Sequence, residues 1–166
     1  MAMKNKRRIF SITLSLACLL GLNTISFSQE SSTANQTIES RVKNKNFVFV
    51  AESVLPMGSR TVQLTSWYDL KVAGDSLYSH LPYFGRAFSA PINPKESGYI
   101  FTTAGIEYEV NNRKKKGLEV TIVPQNRSYG EKFMLTVHGN GAAVLRVISN
   151  NRQAISYRGY IKEKST

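Results

Sequence analysis

Cysteine is almost absent from this sequence. The only one among 166 residues, Cys18, lies in an apolar stretch near the N-terminus. A domain formed by the rest of the chain therefore has no disulfide, no thiolate nucleophile and no thiolate metal site. Its stability must come from an ordinary hydrophobic core, and the length suffices for one such domain but not for two.

Histidine and aspartate are also scarce, with two of each in the chain. His80 and His138 lie too far apart for a local ligand pair, and no carboxylate cluster offers a hard-oxygen metal site. No serine stands in a Gly-x-Ser-x-Gly elbow. Glu107 and Glu109 lie two residues apart on one strand face, a spacing that a pair of catalytic carboxylates could have. Polar residues also alternate with apolar ones in this way on any solvated strand face. We expect no catalytic residues, no metal and no cofactor, and hence no enzyme.

No apolar run is long enough to cross a membrane as a helix, which takes about 20 residues. The run at residues 9–22 follows four basic residues and precedes Ser26, Phe27 and Ser28, which place small residues at positions −3 and −1 of a cleavage site before Gln29. This pattern predicts a signal peptide at residues 1–28 and export to the periplasm or the medium. An uncleaved anchor is one alternative.

A lipid anchor on Cys18 is the other alternative to a cleaved and released chain. Ser15 stands where lipoprotein signals favour leucine, and Cys18 lies inside the apolar run, so we expect Cys18 to leave with the leader. Cleavage removes four of the 22 basic residues and none of the 11 acidic ones, which leaves a net charge of +7. This charge favours anionic partners, and export argues against nucleic acid.

One short helix is predicted at the start of the mature chain. Residues 29–33 are polar and are expected to form a loose N-terminus. Thr33 and Gln36 can form a capping box, and Ala34, Ile38 and Val42 recur on one helical face. This narrow stripe should lie against a larger structure, because so short a helix is not stable alone.

The chain from residue 47 onward alternates apolar and polar residues, as strands with one buried face do. The clearest alternation covers residues 60–72, and residues 47–51, followed by a break at Pro56, Met57 and Gly58, form a short apolar strand. About nine strands joined by short turns predict a single all-β domain at residues 34–166. Consecutive hairpins favour an antiparallel β-barrel over the alternative, a β-sandwich.

Four strings of residues go beyond generic β-structure. They are FVFVA at 47–51, LPMG at 55–58, LPYFGRA at 81–87 and SNNRQAISY at 149–157. Together they resemble the domain-of-unknown-function family numbered 4251, a group of exported bacterial proteins. The resemblance covers residues 38–161, implies a lipocalin-like β-barrel, and implies no known activity.

The best candidate for a ligand site is the segment that holds Tyr83, Phe84 and Arg86. Aromatic rings beside a guanidinium suit a sugar, a carboxylate or an anionic lipid head. The alternative is a structural corner, in which the aromatic side chains close one barrel end, Gly85 permits a tight bend and Arg86 bonds otherwise unpaired carbonyls.

Trp67 and Ser76 are further candidates. Trp67 lies on the polar face of its strand, so it is either covered by the N-terminal helix, as we expect, or available to a partner or a ligand. Asp75, Ser76 and Leu77 are similar to a three-residue O-glycosylation pattern of one group of exporting bacteria, which would place a glycan on Ser76.

The resulting prediction is an exported, non-enzymatic β-barrel domain that binds a small amphipathic or anionic ligand. The alternative is a structural or protein-interaction domain of the cell envelope. Inward-facing residues of intermediate size fit a hollow or a filled barrel, so the sequence leaves this choice, the ligand and the oligomeric state open.

Overall fold

The computed structural model describes residues 38–88, 98–113, 117–126 and 130–162. The chain divides into two units, and every described residue lies in the second, Ser31–Thr166. The predicted signal peptide and loose N-terminus lie outside the described residues. Within those ranges, no helix combines the length and apolar character needed to cross a membrane.

The described part of the helix, α1, covers residues 38–43. Its apolar stripe, Ile38 and Val42, is buried in the core cluster, as the sequence pattern predicts. The last helical turn ends when Lys45 adopts a left-handed backbone conformation with φ of 52°. This reversal leads the chain directly into the first strand.

Within the described ranges nine antiparallel strands follow, mostly in consecutive hairpins, and the last strand pairs with the first. The barrel prediction is therefore confirmed. The strands are β1 (Asn46–Pro56), β2 (Val62–Ala73), β3 (Ser76–Leu81), β4 (Tyr99–Ala104), β5 (Ile106–Asn112), β6 (Gly117–Pro124), β7 (Lys132–His138), β8 (Ala142–Ser149) and β9 (Arg152–Ile161).

The barrel is nearly closed because β4 and β5 act as one bent strand. They are joined by Gly105 alone, and β4 pairs with β3 whereas β5 pairs with β6. Gly105 has φ of 79°, donates its N–H to the carbonyl of Asp75 at 2.9 Å, and accepts the N–H of Gln125 at 3.0 Å. One glycine therefore links the two ends of the sheet.

A bulge in β1 changes which residues face inward. Ala51 pairs with Tyr68 and Ser53 with Gln63, so the four residues 64–67 of β2 stand opposite the single residue Glu52. Beyond the bulge the buried face of β1 continues at Val54. Strand β1 therefore extends to Pro56, well past the apolar run that marks its start.

Side chains fill the barrel interior. Phe133 lies edge-on to Tyr99 and to Phe101, with ring centroids 6.0 Å apart in both pairs. With β4 and β5 counted as one bent strand, the barrel has eight strands, and a barrel of that size is just wide enough for side chains to fill. The core includes large, fully buried side chains from eight of the nine described strands: Phe47, Phe49, Leu70, Leu77, Leu81, Tyr99, Leu118, Ile122, Phe133, Leu135, Leu145 and Tyr157.

Candidate functional site

The segment that follows β3, residues 82–88, crosses one end of the barrel, and we call it the strap. The strap pairs with the start of β9, because Gln153 donates its N–H to the carbonyl of Arg86 at 3.0 Å and Phe88 donates its N–H to the carbonyl of Asn151 at 2.8 Å. The Tyr157 hydroxyl donates to the carbonyl of Pro82 at 2.6 Å. The backbone of the strap is therefore held at both of its ends.

Tyr83 points from the strap into the barrel end. Its hydroxyl lies 2.8 Å from the carbonyl oxygen of Arg86 and 3.0 Å from that of Gln153. A Cβ atom at Gly85 would lie 2.5 Å from the Tyr83 hydroxyl oxygen, so a larger residue there would have to displace the end of the Tyr83 ring. Tyr83 and Gly85 thus form the structural corner that the sequence offered as an alternative.

A buried arginine completes this corner. The Arg152 guanidinium lies 5.2 Å from the ring centroids of both Tyr83 and Tyr99, and its Nη1 donates to the carbonyl of Gly98 at 3.2 Å. Contact with two aromatic faces offsets part of the cost of burying the charge. The sequence pattern predicts no role for Arg152, although this residue lies in one of the strings that carry the family resemblance.

The hydroxyls of the corner tyrosines stay protonated, and those of Tyr83 and Tyr157 donate hydrogen bonds to backbone carbonyls. Burial raises the pKa of Tyr83, Tyr99 and Tyr157, and the nearby Arg152 charge offsets only part of this rise. The Tyr99 hydroxyl is buried and has no hydrogen-bond partner among the described residues. The chemistry of the corner is therefore packing and hydrogen bonding.

Phe84 and Arg86 lie on the other side of the strap. Phe84 is 49% exposed and the Arg86 side chain is exposed. The carbonyl of Arg86, not its guanidinium, makes the hydrogen bonds of the corner. The structure thus separates the three predicted residues, and ligand binding by Tyr83, Phe84 and Arg86 stays a prediction.

Trp67 is not covered by α1, so that expectation is wrong. Its side chain is 52% exposed, whereas the apolar stripe of α1 is buried in the core. Trp67 lies in the β2 segment opposite the bulge, where strand pairing with β1 is interrupted. The indole Nε1 donates to Asp69 Oδ2 at 3.1 Å, and the Lys162 ammonium lies 4.9 Å from the ring centroid.

Trp67, Asp69, Tyr160 and Lys162 form what we call the Trp67 surface, on the outside of the barrel. Val50 pairs with both Asp69 and Tyr160, and it is only 5% exposed although its neighbours in β1 face the core. The surface therefore has an apolar base beneath aromatic and charged side chains. Arg41 of α1 donates to the carbonyl of Lys162 at 2.9 Å, which fixes the chain at this point.

A hollow of about 380 Å³ adjoins the Trp67 surface. Tyr160 and Lys162 belong to both, and Ile38, Asn140 and Gly141 line the opposite side of the hollow. Asn140 Oδ1 accepts the N–H of Ala142 at 3.1 Å, which fixes the orientation of its amide. The hollow thus combines one cation, a phenol and an amide with apolar groups.

Ser76 is the first residue of β3 and is partly exposed. The neighbouring Asp75 carboxylate lies 2.9 Å from the Lys45 ammonium. No observation bears on a glycan at Ser76, so O-glycosylation stays a prediction. Across the described ranges, no group of three or more His, Cys, Asp or Glu side chains could hold a metal ion.

Residues 29–161 match the family model described as a domain of unknown function, DUF4251. The chain belongs to this family. A crystal structure of a DUF4251 family protein from Bacteroides eggerthii DSM 20697, determined at 1.95 Å, has the same fold with a TM-score of 0.58 and 16% sequence identity. The similarity covers 80% of this chain and 91% of that one. No curated protein matches the chain.

Proposed function

We propose that this DUF4251 domain is an exported, non-enzymatic binding domain of the bacterial cell envelope. Its ligand is a small amphipathic anion, and its binding site is the Trp67 surface with the adjoining hollow. The observation that carries the proposal is the exposure of Trp67, whose indole is oriented by Asp69 and lies against the Lys162 ammonium. The leader sequence at residues 1–28 supports export.

The filled barrel interior argues for a site on the outside. A ligand inside the barrel would need to displace fully buried side chains such as Phe47, Leu135 and Tyr157. Displacing one side chain of this kind costs about 2–5 kcal/mol in lost packing, which few small ligands recover.

The chemistry of the site fits an amphipathic anion. The Trp67 indole offers an apolar ring face, and the Lys162 ammonium offers a positive charge beside it. The volume of the hollow lies within the range of about 300–1,000 Å³ that is usual for small-molecule sites. Asn140 and Tyr160 add hydrogen-bonding groups that would orient a polar head.

Native mass spectrometry of the protein purified from its own envelope tests the proposal. We expect the wild type to carry a small molecule that is released on denaturation, and Trp67→Ala to lose it. Met57→Ala is the matched control, because Met57 is similarly exposed on the hairpin between β1 and β2. A bare polypeptide in every spectrum, or equal retention by Trp67→Ala, would overturn the proposal.

A protein partner is the second candidate function, and one observation favours it. Tyr78 and Ile100 are exposed on the outer face of β3 and β4, the two strands that follow β2 in the order of the sheet. Exposed aromatic residues are enriched at protein interfaces. A photo-reactive amino acid at position 67 separates the candidates, because in the envelope a protein partner gives a discrete cross-linked band and a small ligand does not.

A further inference from the structure

The outward side of the strap carries two exposed phenylalanines with an arginine between them. Phe88 is 66% exposed, more than any other large apolar side chain in the described ranges, and Phe84 is 49% exposed. Tyr83 faces inward, and the outward positions alternate with it as they do along a strand. The strap therefore presents Phe84, Arg86 and Phe88 together to the surroundings.

The strap backbone that carries these exposed side chains is held by several contacts. Ala87 forms a β-bridge with Arg152, and the hydrogen bonds to Asn151 and Gln153 lie on either side of that bridge. The Tyr83 ring, held beneath Gly85, fixes the strap from within. The phenylalanines thus cannot turn into the core without breaking these contacts.

The same end of the barrel carries one more exposed apolar side chain and one more exposed arginine. Pro56 pairs with Ile155 near the start of β9, so Met57, which follows Pro56 and is 56% exposed, lies at the strap end. Arg60 is exposed in the same turn. Neither Arg60 nor Arg86 forms an ion pair with a described residue, so both charges are available to an anionic partner.

We propose that this end of the barrel docks on an anionic lipid surface through Phe84, Arg86 and Phe88. Phenylalanine rings enter the boundary between headgroups and acyl chains, and a guanidinium between them binds headgroup phosphates. The outward side of the strap has no hydroxyl or amide side chain with which to recognise a sugar. The net charge of +7 expected after removal of residues 1–28 adds long-range attraction to an anionic membrane.

Vesicle flotation tests the docking, with vesicles made from equal parts of phosphatidylethanolamine and phosphatidylglycerol, and with phosphatidylcholine vesicles for comparison. We expect the protein to float with the anionic vesicles only. The Phe84→Ser/Phe88→Ser variant should bind at least about tenfold more weakly, because two apolar contacts are lost. Arg86→Gln should bind about fivefold more weakly, since one charge contact is lost.

Ile100→Ser is the matched control, because Ile100 is 51% exposed on the outer face of β4 and does not belong to the strap. It should float like the wild type. Docking through the strap does not involve the Trp67 surface. Circular dichroism shows whether each variant is folded before its binding is compared.

A fluorescent reporter gives an independent readout. The chain has a single tryptophan, so the Trp67→Phe/Phe88→Trp variant places the only indole on the strap. Its emission should shift to shorter wavelength on anionic vesicles and be quenched by brominated acyl chains. The proposal is overturned if the wild type does not float, or if the double serine variant floats equally well, because dispersed surface charge would then explain the binding.

Discussion

Replacement of Gly159 by alanine is the sharpest test of how the barrel closes. Gly159 lies in β9, where it pairs with Ala51 of β1 and with Ala143 of β8. A Cβ atom at this position would lie 1.8 Å from the carbonyl oxygen of Val50 and 3.1 Å from the Cα of Ala51. Both contacts are with backbone, so no rotation of a side chain relieves them.

The expected cost follows from this geometry. The Val50 oxygen would need to move by more than about 1 Å to reach an ordinary contact distance, which separates β1 from β9 next to the bulge. Loss of about two ladder hydrogen bonds costs about 1 kcal/mol each, and the overpacking adds about 1–3 kcal/mol. We expect Gly159→Ala to lower the free energy of unfolding by about 3–5 kcal/mol, a large part of the usual total of about 5–15 kcal/mol.

Urea unfolding followed by far-ultraviolet circular dichroism measures this loss. The matched control is Gly58→Ala, because Gly58 has φ of 74° but no atom within 4 Å of the added Cβ. Its cost should be only the backbone strain of about 1 kcal/mol. A Gly159→Ala protein no less stable than Gly58→Ala would refute the inference that β1 and β9 pack too closely for a side chain.

Three other predictions concern the buried tyrosines and Trp67. Burial raises the pKa of Tyr99 and Tyr157, so both keep their protons in the folded protein at alkaline pH. In the unfolded chain both tyrosines lose their protons near pH 10. Above about pH 10 the free energy of unfolding should therefore fall by about 1.4 kcal/mol per pH unit for each tyrosine. Urea titrations at several pH values check this, and a flat profile contradicts it. Tyr157→Phe removes the hydrogen bond to the Pro82 carbonyl. It should lower the free energy of unfolding in urea by about 1–3 kcal/mol and speed amide hydrogen exchange in the strap. Unchanged exchange would show that this hydrogen bond does not hold the strap. Trp67→Ala should change stability by less than about 1 kcal/mol in a thermal melt, because the side chain is half exposed; a larger loss would mean that Trp67 is part of the core.

Sequence alternation was sufficient for the class of fold but not for the details of strand pairing. The period-two pattern predicts antiparallel strands and consecutive hairpins because each strand buries one face, and the register confirms both. The bulge at Ala51 and Ser53 escaped prediction because it depends on the partners of β1 on both sides. The role of Gly105 also escaped, since a single glycine between two apolar runs resembles any short turn.

The candidate site shows the same division between local pattern and tertiary contact. Tyr83 and Gly85 could be identified from an unusual aromatic string around a glycine. The position of Arg152 between two tyrosine rings could not, because it joins segments about 50 to 70 residues apart in sequence. Trp67 was expected beneath α1 because its side chain and the apolar stripe of the helix each needed a surface to pack against. The helix stripe instead packs into the core, and the indole stays exposed outside the barrel.

A filled interior separates the groups that stabilise this barrel from those available for recognition. Tyr99 and Phe133 are fully buried in the core and contact each other, so changing them alters stability first. Trp67 and Phe88 expose large apolar areas to water, although the core contains many aromatic residues. Such exposure does not stabilise a folded monomer. The Trp67 indole is held by Asp69 and Lys162, and the Phe88 backbone is held by Asn151, so their exposure is a property of the fold. Recognition by this DUF4251 domain is therefore expected at its outer surfaces, with Trp67 and the strap as two separable sites.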